Sequence, residues 1–151
     1  MSQAVAAYLH YLSIFVLFAL LSIEHVLFTP QPTQQQALKL IRVDMFYGLC
    51  AGVVVLTGLA RVLWYGKGLD YYLHNTVFHA KIGLFILIGL LSIYPTVKFL
   101  AWRLPVRAGD APEVSPGTAK AMIMIIRLEL TLLIIIPLLA TLMARGIGTI
   151  D

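Results

Sequence analysis

Charge is what this chain has least of. Only 12% of its 151 residues are Asp, Glu, Lys or Arg, against 60% hydrophobic ones, which is far from the make-up of a water-soluble domain. Such a composition predicts an integral membrane protein. Cysteine is nearly absent: Cys50 stands alone, which excludes an intramolecular disulfide and a cysteine metal cluster. The residues before His10 lack the basic start of a signal peptide, and the first apolar run continues past Leu20 without an A-x-A cleavage signal, so it reads as a retained span. Phosphate-cradling glycine loops, an H-E-x-x-H metal helix and a G-x-S-x-G nucleophile elbow are missing as well. The net charge of +4 is scattered over short loops and helix ends and forms no basic stripe, so nucleic acid is not an expected partner.

What remains is four continuously apolar runs, about residues 4–28, 45–65, 76–99 and 121–144. Each is long enough to cross a hydrocarbon core of about 30 Å as a helix. Continuous runs, unlike alternating ones, argue against a barrel, and a spanning backbone must satisfy its own hydrogen bonds. The expected fold is an all-α, single-domain, four-transmembrane-helix up-down bundle over residues 1–151. The connections are a Pro- and Gln-rich turn at Thr29 to Gln36, a polar and aromatic turn at Gly66 to Asn75, and a longer loop around Leu104 to Thr118. Lys39, Arg42, Lys98, Arg103, Arg107 and Lys120 flank the first and third loops, whereas Arg61, Lys67 and Arg145 lie on the other side. The positive-inside rule then predicts that the first and third loops face the cytoplasm and that both termini lie outside.

Polar groups inside these runs are expensive in lipid unless they meet a partner, a cavity or a ligand. By depth they fall into an outer set, His10, His79 and Lys81, and an inner set, Glu24, His25, Asp44, Arg127 and Glu129. His10 and Glu24 lie fourteen residues apart, so they differ by only about 40° around the first helix while being about 21 Å apart along it. His79 and Lys81 are two apart, as are Arg127 and Glu129, so the members of each pair point about 160° from one another. Lys81 and Arg61 have stems long enough to snorkel outward. Glu129 has the shortest reach for its depth and is expected to be protonated or paired, with Arg127, Lys81 or a ligand group as candidates. On the second helix Asp44, Gly48, Ala51, Val55 and Gly58 form a stripe along which a backbone or flat ligand can approach.

The order of these signals carries a resemblance. A His early in the first span (YLHYLSIFVLFALLSIEH), a glycine-bearing second span, an aromatic-His-x-Lys opening to the third (FHAKIGLF) and an Arg and Glu early in the fourth (RLELTLLIII) are similar to HemJ-type protoporphyrinogen oxidases and CopD-like membrane domains. The likeness to an uncharacterised bacterial family of small four-span membrane proteins is closer. The HemJ resemblance implies a haem b cofactor, with His10 at the haem, Lys81 in place of the family's lysine in the third helix and Glu129 in place of its acidic residue in the fourth. His79 stands where that pattern often has a histidine. The chain departs from it at Phe18 and Ala19, and the Asn-Glu-x-Pro signature is reduced to Leu128-Glu129-Leu130-Thr131. Haem binding therefore fits better than porphyrinogen oxidation.

The leading expectation is a haem b-binding membrane oxidoreductase. His10 and His79 serve as axial ligands, Arg61 and Lys81 hold propionates, Glu129 and Lys81 act on protons or substrate, and the substrate is a tetrapyrrole or quinone-type molecule. The same two histidines would hold copper or zinc if a third ligand converged. Two other classes stay open: a small oligomeric transporter or proton-conducting protein using Glu24, Asp44, Arg127 and Glu129, and an assembly subunit packing through Gly48-x-x-x-Gly52. Membrane lipid is the expected surround, with homo-oligomers in the transporter case.

Overall fold

The computed structural model describes residues 1–66 and 68–149; Lys67, one of the basic residues in the orientation count, lies outside the described residues. Four long helices cross the molecule: α1 (Ser2–Leu27), α2 (Gln34–Ala60), α4 (Thr76–Ala101) and α6 (Pro116–Ala144), with short helices α3 (Leu69–Leu73) and α5 (Arg103–Ala108) between them. Among the described residues there is no strand, only a single bridge between Asn75 and Thr149. All four long helices are apolar and long enough to span a membrane. At 26 to 29 residues each runs about 39 to 44 Å, so their ends overhang a hydrocarbon core of about 30 Å.

The helices start earlier than the apolar runs do. Thr33 closes a capping box, its hydroxyl accepting from the Gln36 amide at 3.3 Å while the Gln36 side chain accepts from the Thr33 amide at 2.9 Å. The expected turn at Thr29 to Gln36 is thereby shortened, and α2 begins eleven residues before residue 45. Ser115 caps α6 through the Thr118 amide at 3.3 Å, with Pro116 pre-set for the first turn. Hydropathy underrates both starts because polar capping and surface residues dilute the apolar run. The other two loops also depart from expectation, since α3 occupies the second and α5 follows α4 with only Trp102 between them. Past Ala60 the second span widens into a π-helical turn at Arg61–Tyr65.

Packing makes a closed ring. Helix α1 lies against α2 and α6, and α4 lies against the same two, whereas α1 and α4 face each other across the diagonal without touching. Each helix contributes an inward stripe at three- and four-residue spacing: Ser13, Leu17, Leu21 and Glu24 in α1, Leu40, Asp44, Tyr47 and Val54 in α2, and Met122, Ile126, Glu129, Leu133 and Ile136 in α6. Leu17, Leu21, Val54, Ile88, Ile126 and Leu133 form the mid-bundle core. A second apolar cluster, built from Phe28, Leu40, Phe99, Trp102, Val106 and Met122, closes the end where α5 lies. At the opposite end the C-terminal tail docks on α4: the Thr76 amide donates to the Gly148 carbonyl at 2.8 Å, and the Asn75 amide side chain donates to Ile147. Gly148 has a φ of +91°, and a Cβ there would collide with Val77.

The outer surface of the ring is apolar, with Phe15, Val26, Leu56 and Ile134 all exposed, which is the arrangement lipid requires. Leu21→Ala should therefore lower stability by about 2 to 5 kcal/mol, because Leu21 is fully buried. Phe15→Ala, on the lipid face, should change it by far less. Thermal unfolding of the two variants in detergent measures the contrast.

Candidate functional site

Two polar clusters occupy the interior, one towards each end. At the end that carries the chain termini, His10 projects from α1 onto α2. A Cβ at Gly58 would stand 3.2 Å from His10 Cε1, so the ring packs against that glycine. The Thr57 hydroxyl directs its proton to the Val53 carbonyl at 2.8 Å, leaving its oxygen to accept from His10 Nδ1 at 2.9 Å. In the tautomer that this bond assigns, with the proton on Nδ1, Nε2 carries the ring's lone pair. Ser13 supports the arrangement from one turn below, its hydroxyl donating to the His10 carbonyl at 2.8 Å.

Two cations join this histidine. Arg61, at the π-helical turn, and Lys81, on α4, both lie within electrostatic reach of His10 and of each other. Arg61 stacks over Tyr11 at 5.1 Å and Lys81 over Phe78 at 5.3 Å. Among the described residues neither makes an ion pair, and the only carboxylate–cation contact is the exposed His74–Asp70 pair at 3.2 Å. The Arg61 Nε is buried and donates to nothing. An uncompensated pair of cations with an unused donor is suited to an anionic group.

His79 does not face this cluster. Its Nδ1 donates to the Asn75 carbonyl at 2.9 Å and the residue is exposed. With α1 and α4 diagonal, the phase difference that turns Lys81 inward turns His79 outward. Among the described residues no three His, Cys, Asp or Glu side chains are grouped to hold a metal ion, so the third ligand needed for a copper or zinc site does not converge.

The second cluster lies towards the other end. Glu24, Asp44 and Glu129, from α1, α2 and α6, are buried and within electrostatic reach of one another, with Tyr47 beside all three. Helix α4 contributes Thr96, whose hydroxyl donates to Asp44 Oδ1 at 2.7 Å. Both oxygens of Glu129 and the Oε2 of Glu24 are buried without a hydrogen-bond partner. On α4, Lys81 and Thr96 are fifteen residues apart, which sets the two clusters about 22 Å from each other. Glu129 therefore does not share a site with Lys81. Its expected partner Arg127 is exposed and donates to His25 Nε2 at 3.2 Å. Asp44, expected at the start of its helix, sits in the eleventh position of α2 because that helix begins at Gln34.

Thr57, Ser13, Tyr47 and Thr96 were not singled out by sequence. Thr57 precedes Gly58 in the small-residue stripe, and Thr96 follows the buried, helix-interior Pro95; a hydroxyl beside a glycine or proline in an apolar run is the signal available. The small-residue stripe itself divides: Gly58 holds the imidazole, whereas Gly48 and Gly52 face open space. Two clefts of about 380 and 440 Å³ flank Pro112 in the loop region, and neither is lined by His10, Lys81 or Glu129.

The DUF2214 family of predicted membrane proteins matches residues 2–148. The chain belongs to this family. No curated protein and no solved structure matches it. The family description carries the membrane location and no activity, so the chemistry of this DUF2214 protein has to be argued from its two clusters.

Thr96→Val should leave Asp44 with a buried, unsatisfied oxygen and cost about 1 to 3 kcal/mol, while Thr96→Ser should retain most of the stability. Denaturation in mixed micelles compares the two, and equal stabilities would show that the 2.7 Å bond contributes nothing.

Proposed function

We propose that this DUF2214 protein is a haem b-binding membrane protein of redox function, with His10 as the single protein ligand of the iron and Arg61 and Lys81 as partners of the macrocycle's carboxylates. The observation that carries this reading is the convergence of these three residues from α1, the π-helical turn and α4, with the buried Arg61 Nε lacking any acceptor. The donor set fits the group. Thr57 holds the imidazole by Nδ1 and leaves Nε2 to ligate, which is how a partner outside the coordination sphere orients a ligating histidine. Two cations without an ion pair match two carboxylates, and the Tyr11 and Phe78 rings lie beneath them.

When bound, haem supplies one-electron redox chemistry whose potential follows the axial ligand and the polarity around it. The chain's own residues do the rest. Arg61 and Lys81 fix orientation by charge-assisted hydrogen bonds, and the apolar mid-bundle core excludes water beneath. The exposed His79 has no part in this reading. The excess of Lys and Arg beside the first and third loops supports an outer-face position for the His10 cluster, and on this reading a small tetrapyrrole or quinone-type partner would reach it from the lipid.

The test is the absorption spectrum of protein purified from haem-replete cells. A Soret band is expected in the wild type and in His79→Ala, and its loss in His10→Ala. Arg61→Gln and Lys81→Gln should each weaken haem retention by about ten- to a hundredfold, since a hydrogen bond to a charged group contributes about 1.5 to 3 kcal/mol. A colourless wild type, or a band undiminished by His10→Ala, defeats the reading.

A further inference from the structure

The carboxylate cluster stands apart from the proposed haem site in residues, helices and depth. The sequence holds seven acidic residues, and among the described residues the three that are buried, Glu24, Asp44 and Glu129, lie within electrostatic reach of one another. Asp70, Asp110 and Glu113 are exposed. We propose that Glu24, Asp44 and Glu129 form a buried proton-binding site that exchanges protons with the water at the α5 end of the bundle.

The surroundings leave Glu24 and Glu129 without a counter-charge. Helix α1 presents Glu24, α2 presents Asp44 and Tyr47, α4 presents the Thr96 hydroxyl and α6 presents Glu129. From α5, Arg103 reaches Asp44 alone among the three. The other nearby cations are engaged elsewhere, Lys98 over Tyr94 at 5.4 Å and Arg127 on His25. Each ionised carboxylate removed from water without a partner costs several kcal/mol, and three of them side by side add mutual repulsion. Glu129 turns two fully buried, unpartnered oxygens into this cluster and Glu24 turns one. Those atoms ask for a cation, and no three of the described acidic or histidine side chains are spaced to ligate a metal. A proton meets the requirement with one new O–H bond.

The exchange is balanced simply. A hydronium ion gives its proton to a carboxylate oxygen and leaves water behind, and release reverses the step. Access is asymmetric. Towards the termini the mid-bundle core of Leu17, Leu21, Val54, Ile88 and Leu133 separates the cluster from the His10 end. Asp44 is the least buried of the three, 7% exposed where Glu24 and Glu129 are 1% and 0%, and Arg103 of α5 lies within its electrostatic reach. Asp44, with Arg103 beyond it, is the point of exchange.

Infrared difference spectroscopy of the purified protein in liposomes tests this directly. At neutral pH the wild type should show a protonated-carboxyl band that shifts in deuterium oxide and persists in Asp151→Asn. Glu129→Gln and Glu24→Gln should each remove part of it. Sodium or potassium added at constant pH should leave it unchanged. Absence of the band in the wild type overturns the proposal, as does its survival in both glutamine variants; loss on adding sodium at constant pH would show a metal-cation site instead and overturn it too. The wild-type arms decide the matter even if a variant fails to fold, and none of them depends on pigment, so the result is separate from the haem reading.

Discussion

The cost of taking charge out of water is the constraint on which this molecule depends. In hydrocarbon each polar side chain must find a partner, and nearly every helix interface is joined by one that does. His10 and Thr57 join α1 to α2, Asp44 and Thr96 join α2 to α4, and Arg127 and His25 join α6 to α1. The fourth interface, α4 with α6, is tied beyond the helix ends, where Thr76 and Asn75 take the C-terminal tail and the Tyr71 hydroxyl donates to the Met143 carbonyl at 2.7 Å. Apolar packing alone supplies weak specificity between membrane helices, because lipid tails are as apolar as leucine. The polar ties add specificity at the interfaces they cross.

The same cost explains why the groups left without partners stand out. The His10 end gathers positive charge and the α5 end gathers carboxylates, with an apolar core between them. Pairing Lys81 with Glu129 would have neutralised both, yet about 22 Å of helix keeps them apart. Unpaired cations at one level and unpaired carboxylates at the other are complementary demands, one for an anion and one for a cation. The proposed haem site and the proposed proton-binding site answer these two demands separately and share no residue.

Much of the fold was legible in the sequence. Four apolar runs of sufficient length predict four spans, and four spans joined by short loops predict an up-down bundle. The division of buried polar groups into two levels was also legible, since depth along a helix follows from counting residues. The starts of α2 and α6 were not, because the capping residues Thr33 and Ser115 precede polar turns that hydropathy reads as loop. Thr57 and Thr96 escaped notice because a lone hydroxyl in an apolar run is cheap when it bonds to its own backbone, and only a neighbouring helix makes it a partner for His10 or Asp44.

What the sequence by itself determined is the number of membrane-spanning helices, the depth of each costly side chain, and the angle between side chains on one helix. It showed that His79 and Lys81 point in nearly opposite directions, and that Arg127 and Glu129 do. Which member of each pair faces inward was decided only by tertiary structure, which turned Lys81 and Glu129 to the interior and His79 and Arg127 to the surface. The reason is geometric. Helical periodicity relates residues within one helix, but the rotation of that helix about its axis, and the identity of its neighbours, are set by packing among all four.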